Sequence, residues 1–277
     1  MPPTATPGSV PQVDGMPRFG LGTWENDEHD QCVESVRTAL ETGYRHVDTA
    51  QAYRNEAAVG EGIAAASVDR EEVFLATKVW ISNLAAGDVR PSVEASLDAL
   101  GTDYLDLLYV HWPAGEYDPT ETLPVFDALY EEGTIRHVGV SNFEPDHVDR
   151  AREVLDAPVF ANQIEMHPFL PQTGMREYAA RTDLNLVAYS PLARGGVFDD
   201  PTLAAVAEKH GVSEAQVSLA WLREAGVTAI PKATSEAHIR DNWGSLDLSL
   251  DAEDVDRIDA IERRDRQVDP DFAPAAW

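Results

Sequence analysis

The sequence is poor in cysteine and lysine: one thiol, Cys32, and three ammonium groups, Lys78, Lys209 and Lys232. A lone cysteine excludes a disulfide within the chain and suits a reducing, cytoplasmic location. The opening MPPTATPGSVPQ lacks a basic stretch followed by an apolar one, so no secretory leader is expected. No uncharged apolar run approaches the ~20 residues of a membrane span. The eight histidines show no zinc-type spacing with cysteine or carboxylate, and no GxSxG marks a serine hydrolase. No metal site is expected.

Positive charge is scarce as well. Twenty-one Lys+Arg stand against 49 Asp+Glu, a formal net charge of −28. Such a surface repels nucleic acid and anionic membranes, and neither is expected as a partner. The acid is spread along the chain (Glu25 to Asp30, Glu131, Asp251 to Asp259) and not gathered in one tail. That distribution suits a halophilic protein; an acidic mesophilic protein is the alternative.

Within 277 residues, short apolar runs alternate with helical periodicity. Strands are predicted near Arg18–Gly22, Tyr44–Val47, Val73–Thr77, Tyr104–Val110, Ile135–Val140, Phe160–Ile164, Leu186–Ala188 and Thr228–Ile230. Helices are predicted over Asp30–Glu41, Asp88–Leu100, Thr122–Glu132, Pro145–Leu155 and Ser213–Glu224, among others. Ser213 is a candidate cap, Asp88 a candidate opening, and Gly43, Gly101 and Gly133 are stop signals. Eight βα alternations at this length predict an α/β fold, a single (β/α)₈ TIM barrel over residues 1–277, with a doubly wound open sheet as competitor. Residues 8–17 predict a hairpin around Asp14-Gly15 that plugs the barrel's bottom. Residues 263–277 read as an irregular tail, either folded over the mouth or disordered.

Seven motifs then occur in order: GYRHVDTAQAYRNEAAVG (43–60), TKVW (77–80), HWP (111–113), GVSNF (139–143), NQIEMHP (162–168), AYSPL (188–192) and IPKATSEAHIRDN (230–242). Together with GLGTW (20–24) they resemble the aldo-keto reductase family, and within it the prokaryotic 2,5-diketo-D-gluconate reductase-like branch. The resemblance implies a catalytic tetrad of Asp48, Tyr53, Lys78 and His111. Hydride delivery to a carbonyl carbon leaves charge on oxygen, which needs a proton donor. A tyrosine with a pKa of ~10 is a reluctant acid. An adjacent ammonium favours the phenolate, an aspartate keeps that ammonium charged, and a histidine orients the carbonyl. Taken singly, Asp48 reads as a turn cap, Tyr53 as a half-buried aromatic and His111 as a core histidine. A lysine ending an apolar strand has no such ordinary reading. Placement offers an independent argument. Asp48, Lys78, His111, Asn142, Gln163, Tyr189 and Lys232 follow successive predicted strands at the carboxyl end, where barrel enzymes carry their chemistry.

No GxGxxG lies between a strand and a helix, so a Rossmann-type site is not indicated. The resemblance implies instead an extended NADP(H), with NAD(H) as a second candidate. It assigns Ser141, Asn142 and Gln163 to the carboxamide and Tyr189 to the nicotinamide ring. It further assigns Ser190, Leu192 and Gly195 to the pyrophosphate, and Lys232, Thr234, His238, Asp241 and Asn242 to the adenosine end. His238 and Ala233 depart from the arginine and serine common in NADPH-preferring members, which weakens a 2′-phosphate clamp. Trp24, Trp80 and Trp112, with His111, are expected to wall the substrate pocket. The short loop after His111 suggests an open mouth. The expected activity is reduction of aldehydes, ketones or keto-sugars by a monomer. A cofactor-sensing binding module and a sugar or alcohol dehydrogenase are the alternatives.

Overall fold

The computed structural model describes residues 10–274. A two-stranded antiparallel hairpin, β1 (Gln12–Val13) and β2 (Met16–Pro17), turns at Asp14 and Gly15, both with positive φ. Residues 8 and 9 of the expected hairpin lie outside the described residues. Eight parallel strands follow: β3 (Leu21–Gly22), β4 (His46–Asp48), β5 (Phe74–Val79), β6 (Leu107–Val110), β7 (Val138–Ser141), β8 (Val159–Glu165), β9 (Asn185–Tyr189) and β10 (Thr228–Ala229). The two end strands meet through Gly20 N–H donating to Ala229 O at 2.9 Å and Gly22 N–H to Pro231 O at 3.1 Å. The sheet therefore closes on itself as a (β/α)₈ barrel, and the open-sheet alternative falls.

The connecting helices are α1 (His29–Thr42), α2 (Glu56–Ala65), α3 (Ala86–Leu100), α4 (Pro119–Glu131), α5 (Pro145–Val154), α6 (Thr173–Thr182), α7 (Pro201–His210), α8 (Glu214–Glu224), α9 (Glu236–Gly244) and α10 (Ala252–Asp259). Ser213 caps α8 as expected, its Oγ accepting the Gln216 N–H at 3.1 Å. Asp88 does not open its helix. The cap is Ala85, and Asp88 sits in the first turn, where a carboxylate still favours the positive end of the helix dipole. α4 begins three residues before the expected Thr122, because Asp118 accepts the Thr120 N–H at 2.8 Å and Pro119 fills the first helical position.

Strand alternation sorts the side chains into two cores. Leu75, Leu108, Val110 and Val140 point outward against the helices in the large core. Phe74, Ala76, Leu107, Tyr109, Ala161, Val187 and Ile230 point inward, and Met16 of the hairpin packs beneath them. The hairpin thus plugs the barrel floor. Gly139 is dictated by this filling: a Cβ there would lie 2.5 Å from Cδ1 of the Tyr109 ring. The inward register continues past the apolar layers to Asp48, Lys78, His111, Ser141, Gln163, Tyr189 and Lys232. The period of two that fills the barrel also aims these polar groups into its mouth.

Candidate active site

A cavity of about 530 Å³ opens at the carboxyl ends of the strands, with Asp48, Tyr53, Trp80, His111 and Trp112 among its lining. At its floor Lys78 is 1% exposed and forms an ion pair with Asp48 Oδ1. Its Nζ also donates to Thr49 O at 2.8 Å and lies 5.1 Å from the Tyr53 ring centre. The second Asp48 oxygen accepts Gln163 Nε2 at 2.7 Å. A buried ammonium surrounded by acceptors remains charged. Burial pushes its pKa down, but Asp48 and Tyr53 push harder, and the net direction is upward.

At Tyr53 two effects oppose each other. Burial raises its pKa, and the opposing pull of Lys78 offsets this only in part, so the hydroxyl stays protonated well into alkaline solution. His111 moves the other way. Burial and the neighbouring Lys78 hold its pKa well below the usual imidazole value, so it is neutral at pH 7. Its ring sits edge-on to Tyr53 (5.9 Å between centres) and to Trp80 (5.0 Å), and its buried Nδ1 has no hydrogen-bond partner among the described residues.

One wall is a hydrogen-bonded row. The Ser141 hydroxyl donates to Gln163 O at 2.9 Å, Asn142 Nδ2 to Ser141 Oγ and His111 O, both at 3.1 Å, and the Tyr189 hydroxyl to Asn142 Oδ1 at 2.9 Å. Several residues around the cavity hold left-handed backbone: Glu25 (φ 54°), Asn142 (63°), Ser190 (48°) and Arg194 (49°). Each costs about 1–2 kcal/mol for a residue with a side chain, a strain that gathers where function requires it.

This geometry, a buried Asp–Lys pair beside a tyrosine ring and a neutral histidine, is met by a family-wide match. A model of the aldo/keto reductase family fits residues 15–263. The chain belongs to the aldo/keto reductase family. It is 39% identical to a glyoxal reductase of Bacillus subtilis over 266 residues, covering 95% of this chain and 96% of that protein. It is 40% identical to methylglyoxal reductase DkgB of Salmonella typhi, covering 95% and 99%. A crystal structure provisionally named 2,5-diketo-D-gluconic acid reductase B superposes with a TM-score of 0.90 at 36% identity, covering 94% of this chain and 93% of that one.

Of the reductase's expected cofactor positions, Ser141, Asn142, Gln163, Tyr189, Ser190, Leu192, Gly195 and Lys232 line the one cavity with the tetrad residues Asp48, Tyr53 and His111. Thr234, His238, Asp241 and Asn242 do not line it; they lie on the loop and helix α9 beyond Lys232. There His238 is exposed and Asn242 buried. Asp241 accepts the Ser213 hydroxyl at 2.6 Å and Gln216 Nε2 at 2.9 Å. Trp24, Trp80 and Trp112 are all at the mouth, and the Arg194 guanidinium lies 4.3 Å over the Trp24 ring.

The open mouth is corrected. Val268, Pro270 and Phe272 of the C-terminal tail line the cavity, with Phe272 edge-on to Trp80 (5.8 Å) and Trp112 (5.5 Å). The tail folds over the mouth, which settles the choice between cover and disorder as far as residue 274; residues 275–277 lie outside the described residues. An aromatic between Pro270 and Pro274 was the available signal. Among the described residues no helix is long and apolar enough to cross a membrane, and no group of three His, Cys, Asp or Glu side chains is arranged to hold a metal ion.

Proposed function

We propose that the protein reduces small aldehydes and ketones, α-oxoaldehydes among them, with a nicotinamide dinucleotide, and that Tyr53 supplies the proton. The observation that carries this is the contrast between Tyr53 and His111 in one cavity. A histidine held neutral has no proton to release as an acid at pH 7, whereas Tyr53 retains its proton and faces a buried ammonium. An alkoxide is a far stronger base than a phenolate, so proton transfer from Tyr53 is downhill once negative charge forms on the substrate oxygen. Lys78 then stabilises the phenolate left behind, and Asp48 keeps Lys78 charged and in place. His111 orients the carbonyl by hydrogen bonding.

The residues present fit the dinucleotide. A polar row, a tyrosine ring and an exposed lysine run along one cavity, and the orphaned His111 nitrogen marks a hydrogen-bonding position. When bound, that cofactor supplies the hydride. Ser141, Asn142 and Gln163 would hold its carboxamide, Tyr189 its nicotinamide ring, Ser190, Leu192 and Gly195 the pyrophosphate, and Lys232, Thr234, His238, Asp241 and Asn242 the adenosine end. Glyoxal and methylglyoxal, named in the two relatives above, are the first substrates to try. Trp24, Trp80 and Trp112 give them an apolar wall. The same residues serve alcohol oxidation in reverse.

Tyr53→Phe keeps the ring and removes the proton. Turnover of glyoxal should fall by at least ~10²-fold while cofactor still quenches tryptophan fluorescence. Near-normal turnover would overturn the assignment. Cofactor binding by the native protein with no turnover of any carbonyl would favour a sensing module.

A further inference from the structure

Glu165 takes no part in the chemistry above, yet it is fully buried at the mouth end of β8 and holds three donors. Oε1 accepts His167 Nε2 at 2.9 Å and the Gln267 backbone N–H at 2.6 Å; Oε2 accepts the Val268 N–H at 2.8 Å. A carboxylate out of water is costly unless its lone pairs are satisfied. Here two of the donors come from irregular chain 102 and 103 residues downstream. The same stretch is steadied by Asp265 N–H on Phe169 O at 3.1 Å and by Arg263 lying 4.2 Å over the Phe169 ring. Directly beyond it come Pro270 and Phe272, which line the cavity against Trp80 and Trp112. Glu165 also pairs in register with Tyr189 of β9, so tail and site share one anchoring point.

We infer that Glu165 is a positioning residue: through the backbone of Gln267 and Val268 it sets Phe272 as a wall of the substrate cavity and thereby governs selection among large carbonyl substrates. This rests on the carbonyl-reductase reading. A glutamine at 165 has one acceptor oxygen, and its amide N–H₂ would confront a tail N–H. At least one tether is then lost, with side-chain volume nearly unchanged.

Two measurements test this, one of them independent of activity. Amide hydrogen exchange in residues 262–274 should quicken about tenfold in Glu165→Gln, since a lost tether frees the segment locally while the barrel keeps its protection. In steady-state kinetics, the variant should raise KM for a bulky aromatic aldehyde about tenfold, the scale of two edge-to-face ring contacts, with kcat and the glyoxal constants within about twofold. Phe272→Ala should raise the aromatic KM alike, and the double variant no further. If Glu165→Gln fails to fold, Val268→Pro removes one tether from the tail side and should reproduce the quickened exchange of the tail. Unchanged tail exchange, additive effects of the two substitutions, or an equal fall in kcat for both aldehydes would overturn the inference. Quickened exchange in a protein that turns over no carbonyl would uphold the clamp and refute the reductase reading.

Discussion

Lys78→Met removes an ammonium that is 1% exposed and leaves a side chain of similar length in its place. Asp48 Oδ1 and Thr49 O lose their donor, while Asp48 Oδ2 keeps Gln163. Breaking a buried ion pair by deleting one partner costs about 3–5 kcal/mol, mostly because the other charge is stranded. In a chain of this length that lowers the melting temperature by roughly 6–10 °C, at about 2 °C per kcal/mol. Asp48→Asn combined with Lys78→Met removes both charges and should recover most of the loss, because neither charge is then buried alone.

The sign with pH follows from the direction of the shift. The Lys78 pKa is raised in the folded state, so its stabilisation is complete below the unfolded lysine value and fades only as pH rises through the folded one. At pH 7 the full cost of the substitution is therefore seen. Activity should not follow stability. Under the proposed mechanism both variants lack the charge that would stabilise the Tyr53 phenolate, and both should lose at least ~10²-fold in carbonyl reduction. Since Lys78 lowers the Tyr53 pKa, its removal should also move the pH profile of alcohol oxidation to higher pH. Calorimetry and steady-state rates on the native protein and the two variants decide the matter. A double variant no more stable than Lys78→Met would refute the ion-pair reasoning, and Lys78→Met keeping a tenth of native turnover would refute the role of the charge.

Three further outcomes are expected. His238→Arg should tighten NADPH about tenfold, the scale of a charge-assisted hydrogen bond, and leave NADH unchanged; equal shifts for both cofactors would show that position 238 does not read the 2′-phosphate. With a charge of −28, raising salt from dilute buffer to molar shortens the Debye length from ~30 to ~3 Å and should raise the melting temperature by at least about 5 °C; an unchanged value would refute the halophile reading. Asp254, fully buried, has a pKa lowered to about 2 because Lys209 and His210 outweigh its burial. Its stabilisation is present above the ordinary aspartate value and lost as pH falls through about 2, so Lys209→Met should cost about 1–2 kcal/mol at pH 7 and less in strong acid, as followed by urea unfolding.

What the sequence made legible was whatever repeats with a fixed period. The apolar runs at 73–77 and 104–110 are readable as strands, with Lys78 and His111 at their ends, whereas which alternate side chains face the barrel axis is not, because both faces are apolar. Element ends were less legible, because they depend on single caps: the Asp118–Pro119 start of α4 precedes its first apolar residue. The tail was the least legible part. It has no period, and its order comes from backbone N–H groups meeting a carboxylate more than a hundred residues away. Glu165 itself lies within the NQIEMHP motif, but the motif says nothing of which donors a buried carboxylate has collected. The balance at Tyr53 was hidden for a related reason. Sequence places a lysine beside it, whereas the outweighing effect is desolvation by the surrounding fold.

The near-absence of lysine is where composition and site meet. A surface relieved of lysine loses flexible, strongly hydrated ammonium groups and leaves 18 arginines to carry the remaining positive charge. The three lysines that persist are not scattered. Lys209 bridges Asp251 and the buried Asp254, at 2.7 Å each, tying α7 to α10. Lys232 lines the cavity. Lys78 is buried, and its single nitrogen meets Asp48 and the Thr49 carbonyl, with the Tyr53 and Tyr109 ring centres 5.1 and 5.8 Å away. Three donors on a point charge match those convergent acceptors, whereas arginine's donors lie in a fixed plane. At position 78 the requirement is for the geometry of the donors and not for positive charge as such.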